Sequence, residues 1–235
     1  MKAFGWAGLI VGVAASLLTA PKEAVSSRKE KSGAKIASQM IAALGGDQFL
    51  QLSAFRIAGH GLLPRQAPVR IDFTQKGVRV RSRLETSFWS STEGFDGSLG
   101  WRRFGSEKPF KLSVSPLELL AKNGLSRIQV IEADSTVLEH DTLLDKTSCW
   151  WLKAFDSLSG EIWIFVDQKS ARPKELFSPS AGIAAALYDY RPVQGIWFPY
   201  KVNVRRGNQV FLELTIDSVL VNPPVSDSFF ALPPE

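Results

Sequence analysis

The sequence predicts an α+β fold: a large, curled antiparallel sheet with one N-terminal helix and a short mid-chain helix as a lid. Three observations carry this. Most of the chain beyond Leu52 alternates apolar and polar residues with period two, the mark of half-buried strands. Short turn-type segments punctuate those runs. Helical spacing appears in only two places, so two short helices must serve a very wide sheet. A sheet of more than about ten strands has to curl or close, because a flat one leaves its apolar face in water.

The elements follow in order. Residues 1–20 hold one charge, Lys2, followed by an uncharged apolar run, which has the form of an export signal. A cleaved signal is favoured over an uncleaved anchor, although Leu18 stands where a small residue is wanted and Pro21 follows the expected cut. No cysteine follows the run, so nothing there can be lipidated. Residues 21–32, PKEAVSSRKEKS, carry one large apolar residue, Val25, and read as a mobile charged tether. Residues 33–235 then read as one folded domain.

From Gly33 to Leu44, Ile36, Met40, Ile41 and Leu44 share one helical face, and Gly45-Gly46 supplies the stop. Val69, Ile71 and Phe73 then alternate with Arg70, Asp72 and Thr74. Val78, Val80 and Leu84 alternate with Arg79, Arg81 and Arg83. Gln75, Lys76 and Gly77 between them make this pair an antiparallel hairpin. Further strands are expected at residues 52–62, 86–92, 100–104, 128–132, 137–143, 148–155, 161–167, 173–178, 183–191, 197–205 and 210–221, as one long meander. Pro116 to Ala121 is the second helix, with Ser115 as its N-cap and Gly124 beyond its end.

Enzyme signatures are poor. The two histidines, His60 and His140, lack companions at metal-ligand spacing. There is no G-x-S-x-G elbow. Ser26 and Lys29 form an S-x-x-K, but in the tether, where nothing could hold an oxyanion hole. Cys149, the single cysteine, excludes an internal disulfide and reads as a core thiol beside Trp150, Trp151 and Leu152. No metal and no cofactor are implied.

The formal charge is +5, a modest excess that argues for anionic lipid surfaces over nucleic acid in an exported chain. The stripe Arg79, Arg81 and Arg83 reads as a solvated strand face with Asp72 and Glu85 as partners. Its functional alternative is docking on anionic headgroups. Trp89, Trp101, Trp150, Trp151, Trp163 and Trp197 fall on strands, where core packing and an apolar ligand site demand the same residue types. CWWLKAF and EIWIFVD carry large apolar residues on both faces, so both faces must meet something apolar.

The last fifty residues are the most specific. Tyr188, Tyr190, Gly195, Phe198, Pro199 and Lys201, then Val219, Asn222, Pro223, Asp227, Phe229, Phe230 and Pro233, resemble the C-terminal signature of the LolA/LolB-like superfamily: a Y-x-x-V-x-G-x-x-x-P strand pair, then V-x-x-N-x-x-x-x-D-x-x-F-x-x-P. FDGSLGWRRFG, from Phe95 to Gly105, is similar to its y-D-G-x-x-x-W hairpin. The resemblance implies a half-open β barrel around a helical lid, with an apolar cavity and no catalytic residue. It implies a periplasmic, non-catalytic carrier of a lipid or of lipoprotein acyl chains. The alternative is a membrane-tethered regulator or scaffold that senses lipoproteins or binds an envelope protein with the same half barrel. Strand alternation nominates Val69, Ile71, Phe73, Val78, Val80, Leu84, Trp101, Ile162, Ile164, Phe198, Tyr200 and Val202 for the cavity. Arg79, Arg81 and Arg83 are the candidates for docking on an anionic surface.

Overall fold

A computed structural model describes residues 22–63, 67–112, 136–156 and 160–234. Two helices come first, α1 (Lys22–Leu44) and the single turn α2 (Asp47–Leu50). A first run of strands follows: β1 (Ala54–Leu63), β2 (Ala67–Lys76), β3 (Arg79–Glu85), β4 (Ser90–Phe95), β5 (Gly100–Phe104) and β6 (Phe110–Leu112). The second run is β7 (Thr136–Leu144), β8 (Thr147–Asp156), β9 (Gly160–Asp167), β10 (Pro173–Ser178), β11 (Ile183–Val193), β12 (Ile196–Arg206) and β13 (Gln209–Val221). A 3₁₀ turn, Asp227–Phe229, closes the described chain. The expected helix at Pro116 to Ala121 and the strand at 128–132 lie outside the described residues. Among the described residues no helix is long and apolar enough to cross a membrane.

The strands form one antiparallel sheet in the order β6-β5-β4-β3-β2-β1-β13-β12-β11-β10-β9-β8-β7, open at β6 and β7. The sequence suggests a single meander, but there are two. They are joined where the first strand pairs with the last, Phe55 opposite Val221 and Ile57 opposite Val219. That junction is sealed by Asn222, whose Oδ1 accepts hydrogen bonds from Ser53 N, Ser53 Oγ and Ala54 N at 2.9, 3.0 and 3.1 Å. Its own N–H donates to Ala54 O at 2.8 Å. Asn222 holds φ +49, a conformation asparagine tolerates better than most residues.

Helix α1 begins at Lys22, so the expected tether is helical where it is described. Lys, Glu, Ala and Arg are good helix formers, and low hydrophobicity alone does not oppose a helix that continues into a buried face. Gly33 therefore lies within the helix. A Cβ there would stand 2.1 Å from the Thr136 carbonyl oxygen, so glycine is what lets α1 lie directly against β7. The helix ends as expected at Gly45-Gly46, with Gly46 N–H donating to Ile41 O at 3.0 Å.

Register separates the two faces. Ile36, Met40 and Leu44 of α1 pack on an inner face with Leu152, Ile162, Ile164, Val166, Leu176, Leu187, Phe198, Ile216, Ile57 and Phe55. These are the residues that pair across neighbouring strands, for example Leu152 with Ile164, Ile164 with Leu176, and Val202 with Leu214. Burying the apolar side chains of this face contributes about 1.5–3 kcal/mol each.

Candidate functional site

The inner face continues beyond α1. Helix α1 meets β7 and β12, while the apolar surface runs on through β13 and β1 into β2 and β3. Gly59 and Gly61 of β1 lie opposite Ile71 and Val69. Ile71 pairs with Leu84, Phe73 with Ser82, and Gln75 with Val80. Val69, Ile71 and Val80 are buried, whereas Phe73 and Leu84 are half-buried. Phe73 joins the two apolar clusters, touching Val80 and Phe95 on one side and the main core on the other. Its ring lies 6.0 Å from that of Phe55, which lies 6.0 Å from Phe198.

Of the residues nominated for the cavity, Val69, Ile71, Phe73, Val80, Leu84, Ile162, Ile164, Phe198, Tyr200 and Val202 share this inner face by register. Ile162, Ile164 and Phe198 are fully packed in the core; Tyr200 and Val202 flank it. Two nominations are corrected. Val78 sits in the β2–β3 turn, half exposed, because the turn falls at Gly77-Val78 and not at Gln75 to Gly77. Trp101 is on the opposite face: it pairs with Gly94, which pairs with Arg81, and the Val80 register runs through Phe95 to Gly100. Alternation within a strand fixes its two faces but not which one joins the neighbour's core face, and that ambiguity put Trp101 inside.

On the outer face the chain end folds back across β2, β3 and β5. Trp101 Nε1 donates to Phe230 O at 2.8 Å, and both residues are fully buried. Gly94 makes room for the indole, since a Cβ would stand 2.4 Å from its ring. Lys76 Nζ donates to Val225 O and Asp227 Oδ1, each at 2.9 Å, with Arg79 3.4 Å from the other carboxylate oxygen. Arg81 Nη1 donates to Phe229 O at 2.8 Å, its guanidinium 4.5 Å from the Phe229 ring centroid. Burial, with the Arg103 charge adding, pulls the Arg81 guanidinium below its usual value. The C-terminal signature is thus a strap: Asn222 turns the chain, Asp227 anchors it, and Phe230 plugs it in. Arg79 and Arg81 of the expected docking stripe are engaged by that strap, and Arg83 lies 3.1 Å from Glu85. Asp72, expected to pair with this stripe, instead accepts from Arg56 Nε at 3.1 Å.

Beside the strap the outer face has two adjoining hollows of about 660 and 650 Å³ that share His60, Arg70 and Glu85. The first also takes in Asp72, Arg83 and Asp217; the second runs past Thr86 and Ser87 to the end of the sheet. His60 Nδ1 lies 2.9 Å from Asp217, both exposed. Among the described residues no group of three metal-ligating side chains occurs. Cys149 is fully buried, which raises its thiol above the ordinary value and keeps it protonated.

The large residues on the outer face of β8–β10 pack on one another. Trp151 lies 4.8 Å from Trp163 and 5.8 Å from Phe165, and Trp163 lies 5.0 Å from Phe177. His140 caps the row edge-on at 4.6 Å, and Lys153 reaches across both indoles. This is the apolar contact that CWWLKAF and EIWIFVD demand of their second face. Sequence reading did not single out Phe88, at the tip of the β3–β4 hairpin and 95% exposed. The available signal was a Phe-Trp pair at a turn where small polar residues are usual.

No family model and no curated protein matches the sequence. Solved structures match in fold. A DUF1329 family protein from Desulfovibrio piger aligns with 86% of this chain and 97% of its own at 12% identity and a TM-score of 0.56. A protein described as an outer membrane lipoprotein-sorting protein domain, from Vibrio parahaemolyticus, covers the same shares at 10% identity and a TM-score of 0.53. A LolA superfamily protein from Nitrosomonas europaea aligns with 82% of this chain and 97% of its own at 13% identity and a TM-score of 0.51. The half-open sheet, the helix laid on its inner face and the shared path of the strands together make this a LolA-like fold.

Proposed function

We propose that the protein is a non-catalytic, periplasmic binding protein for a lipid or for the acyl chains of lipoproteins, held against the inner face of the sheet. The observation that carries this reading is the extent of that face. One continuous apolar surface spans both meanders, and α1 meets it at β7 and β12, away from the β1–β3 region where Gly59, Gly61, Val69, Ile71, Phe73 and Leu84 lie. There Phe73 and Leu84 stay half-buried beside the buried Val69 and Ile71, and these two side chains give a polymethylene chain its apolar hold. Burying eight methylenes contributes about 6 kcal/mol before the entropy of binding is subtracted, which fits reversible loading. The fold shared with a solved lipoprotein-sorting domain supports the same ligand class.

The test is to extract protein purified from the periplasm and identify bound molecules by mass spectrometry, alongside a Leu84→Glu variant. Leu84 is half-buried, so the substitution places charge on the strip without opening the core. A stoichiometric acyl ligand lost by the folded variant is the expected result. Wild-type protein that is empty and ignores an added fluorescent fatty acid would overturn the reading.

A further inference from the structure

The inner-face strip does not stay apolar to the edge of the sheet. Followed outward from β1, one row of cross-strand partners runs Gly59, Ile71, Leu84, Ser91 and Phe104. The row beside it runs Ile57, Phe73, Ser82, Glu93, Arg102 and Phe110. Both rows are polar at β4, and both end on a phenylalanine. The Phe104 and Phe110 rings lie 6.1 Å apart. A small polar patch therefore separates the apolar strip from an aromatic margin at the open end of the sheet.

The patch holds an ion pair. Arg102 Nε donates to Glu93 Oε1 at 2.6 Å, and Nη2 stands 2.6 Å from the same oxygen. The two side chains are only 27% and 12% exposed. A pair this far out of water regains in attraction about what it loses in desolvation, so apolar residues would serve stability as well and would carry the strip on to the edge. The guanidinium also lies 5.7 Å from the Phe104 ring centroid. Both contacts to Glu93 use Nε and Nη2, and among the described residues no group accepts from Nη1.

Ser91 supplies the second observation. It is 5% exposed, and its Oγ has no hydrogen-bond partner among the described residues. A buried hydroxyl left unpaired is costly, and an acceptor brought by a ligand would remove that cost. Register sets Ser91 beside Leu84, at the point where the apolar strip ends, and diagonal to Arg102.

Charge selects the head of the ligand. Glu93 cancels the charge of Arg102, so the patch offers hydrogen-bond donors with no net charge. A free carboxylate would bring an uncompensated charge into this half-buried place and meet the Glu93 carboxylate there. A neutral carbonyl accepts from the same donors without that cost.

We infer that Ser91, Arg102 and Glu93 form a head subsite for the neutral ester carbonyl of an acyl chain lying on Leu84 and Ile71, in preference to a free fatty acid. This rests on the inner-face reading above and narrows its ligand from lipids in general to acyl esters.

The experiment titrates the full chain, freed of bound lipid, with pyrene-tagged hexadecanoic acid and with its methyl ester at about pH 8, where the acid is ionised. The two probes share chain and fluorophore and differ only at the head. Wild-type protein should bind the ester about tenfold more tightly. Glu93→Gln leaves the Arg102 charge uncancelled and should reverse the order. Ser91→Ala should weaken the ester about fivefold, the worth of one hydrogen bond. Circular dichroism checks the fold, and Ser91→Ala, which removes a single unpaired hydroxyl, keeps the test available if Glu93→Gln does not fold. Equal affinity for the two probes, an unchanged order in folded Glu93→Gln protein, or ester binding indifferent to Ser91→Ala would overturn the subsite and leave the inner-face reading standing. Wild-type protein that binds neither probe would overturn both. Leu84→Glu, which alters the strip and not the head subsite, should lose both probes together.

Discussion

The Trp101 indole N–H donates to the Phe230 carbonyl oxygen at 2.8 Å, joining the fifth strand to the chain end on the face opposite the one on which Ile36, Met40 and Leu44 of α1 pack. Phe230 is fully buried by that union. Phe230→Ala should destabilise the protein by about 3–5 kcal/mol through the cavity it leaves. Trp101→Phe keeps most of the packing and should cost about 1–3 kcal/mol through the orphaned carbonyl. Urea unfolding followed by circular dichroism checks both.

Asn222 does two things at once, and two substitutions separate them. Asn222→Gly keeps the positive φ and loses the three hydrogen bonds accepted by Oδ1 from Ser53 and Ala54. Asn222→Ala loses those bonds and adds backbone strain. The alanine variant should therefore be less stable than the glycine variant by about 1–2 kcal/mol, measured by the same unfolding experiment.

Gly33 and Gly46 are both helix-associated glycines with opposite demands. Gly33→Ala drives a methyl into the Thr136 carbonyl, which cannot yield without moving β7. A loss of about 3 kcal/mol or more is expected. Gly46→Ala meets nothing within 4 Å but stands at φ +55, so its cost should be about 1–2 kcal/mol. Thermal midpoints of the two variants should fall in that order.

Arg205 reaches the carboxylate of Glu175 at 2.8 and 2.9 Å, and Glu175 is buried. Arg205→Leu leaves a buried carboxylate without its charge partner and should cost about 3–5 kcal/mol. Glu175→Leu combined with Arg205→Leu should recover most of the loss. A double-mutant cycle in denaturant provides the measurement.

The strap is sensitive to acid. The hydrogen bond from Lys76 holds the Asp227 carboxyl below the usual range, and the Arg79 charge adds to this. A depressed folded-state value stabilises the protein above the unfolded value of about 3.9, and that stabilisation is lost as pH falls through the folded value. Thermal midpoints recorded from about pH 6 down to about pH 2 should fall less steeply for Asp227→Asn than for wild type. An identical slope would show that the anchor is not linked to folding.

Several elements were legible because local chemistry determines them. The β2–β3 hairpin, the Gly45-Gly46 stop and the helical face of Ile36, Met40 and Leu44 stand as read. Helix α1 starts earlier than expected because a charged segment can ride on a helix that is buried farther along. Val78 left its strand because the turn moved by one residue, which no periodicity resolves.

What the sequence alone determined was a wide antiparallel sheet with one apolar face and a chain end able to fold back onto it, since period, turn residues and the spacing of Asn222, Asp227 and Phe230 are local properties. Only the tertiary structure decided how the pieces meet. The pairing of β1 with β13 joins residues far apart in sequence, so no local pattern specifies it. The same long-range geometry placed Trp101 outside, drew Arg79 and Arg81 under the strap, and left Phe88 in water, because a strand's alternation defines two faces while its neighbours determine which one is covered.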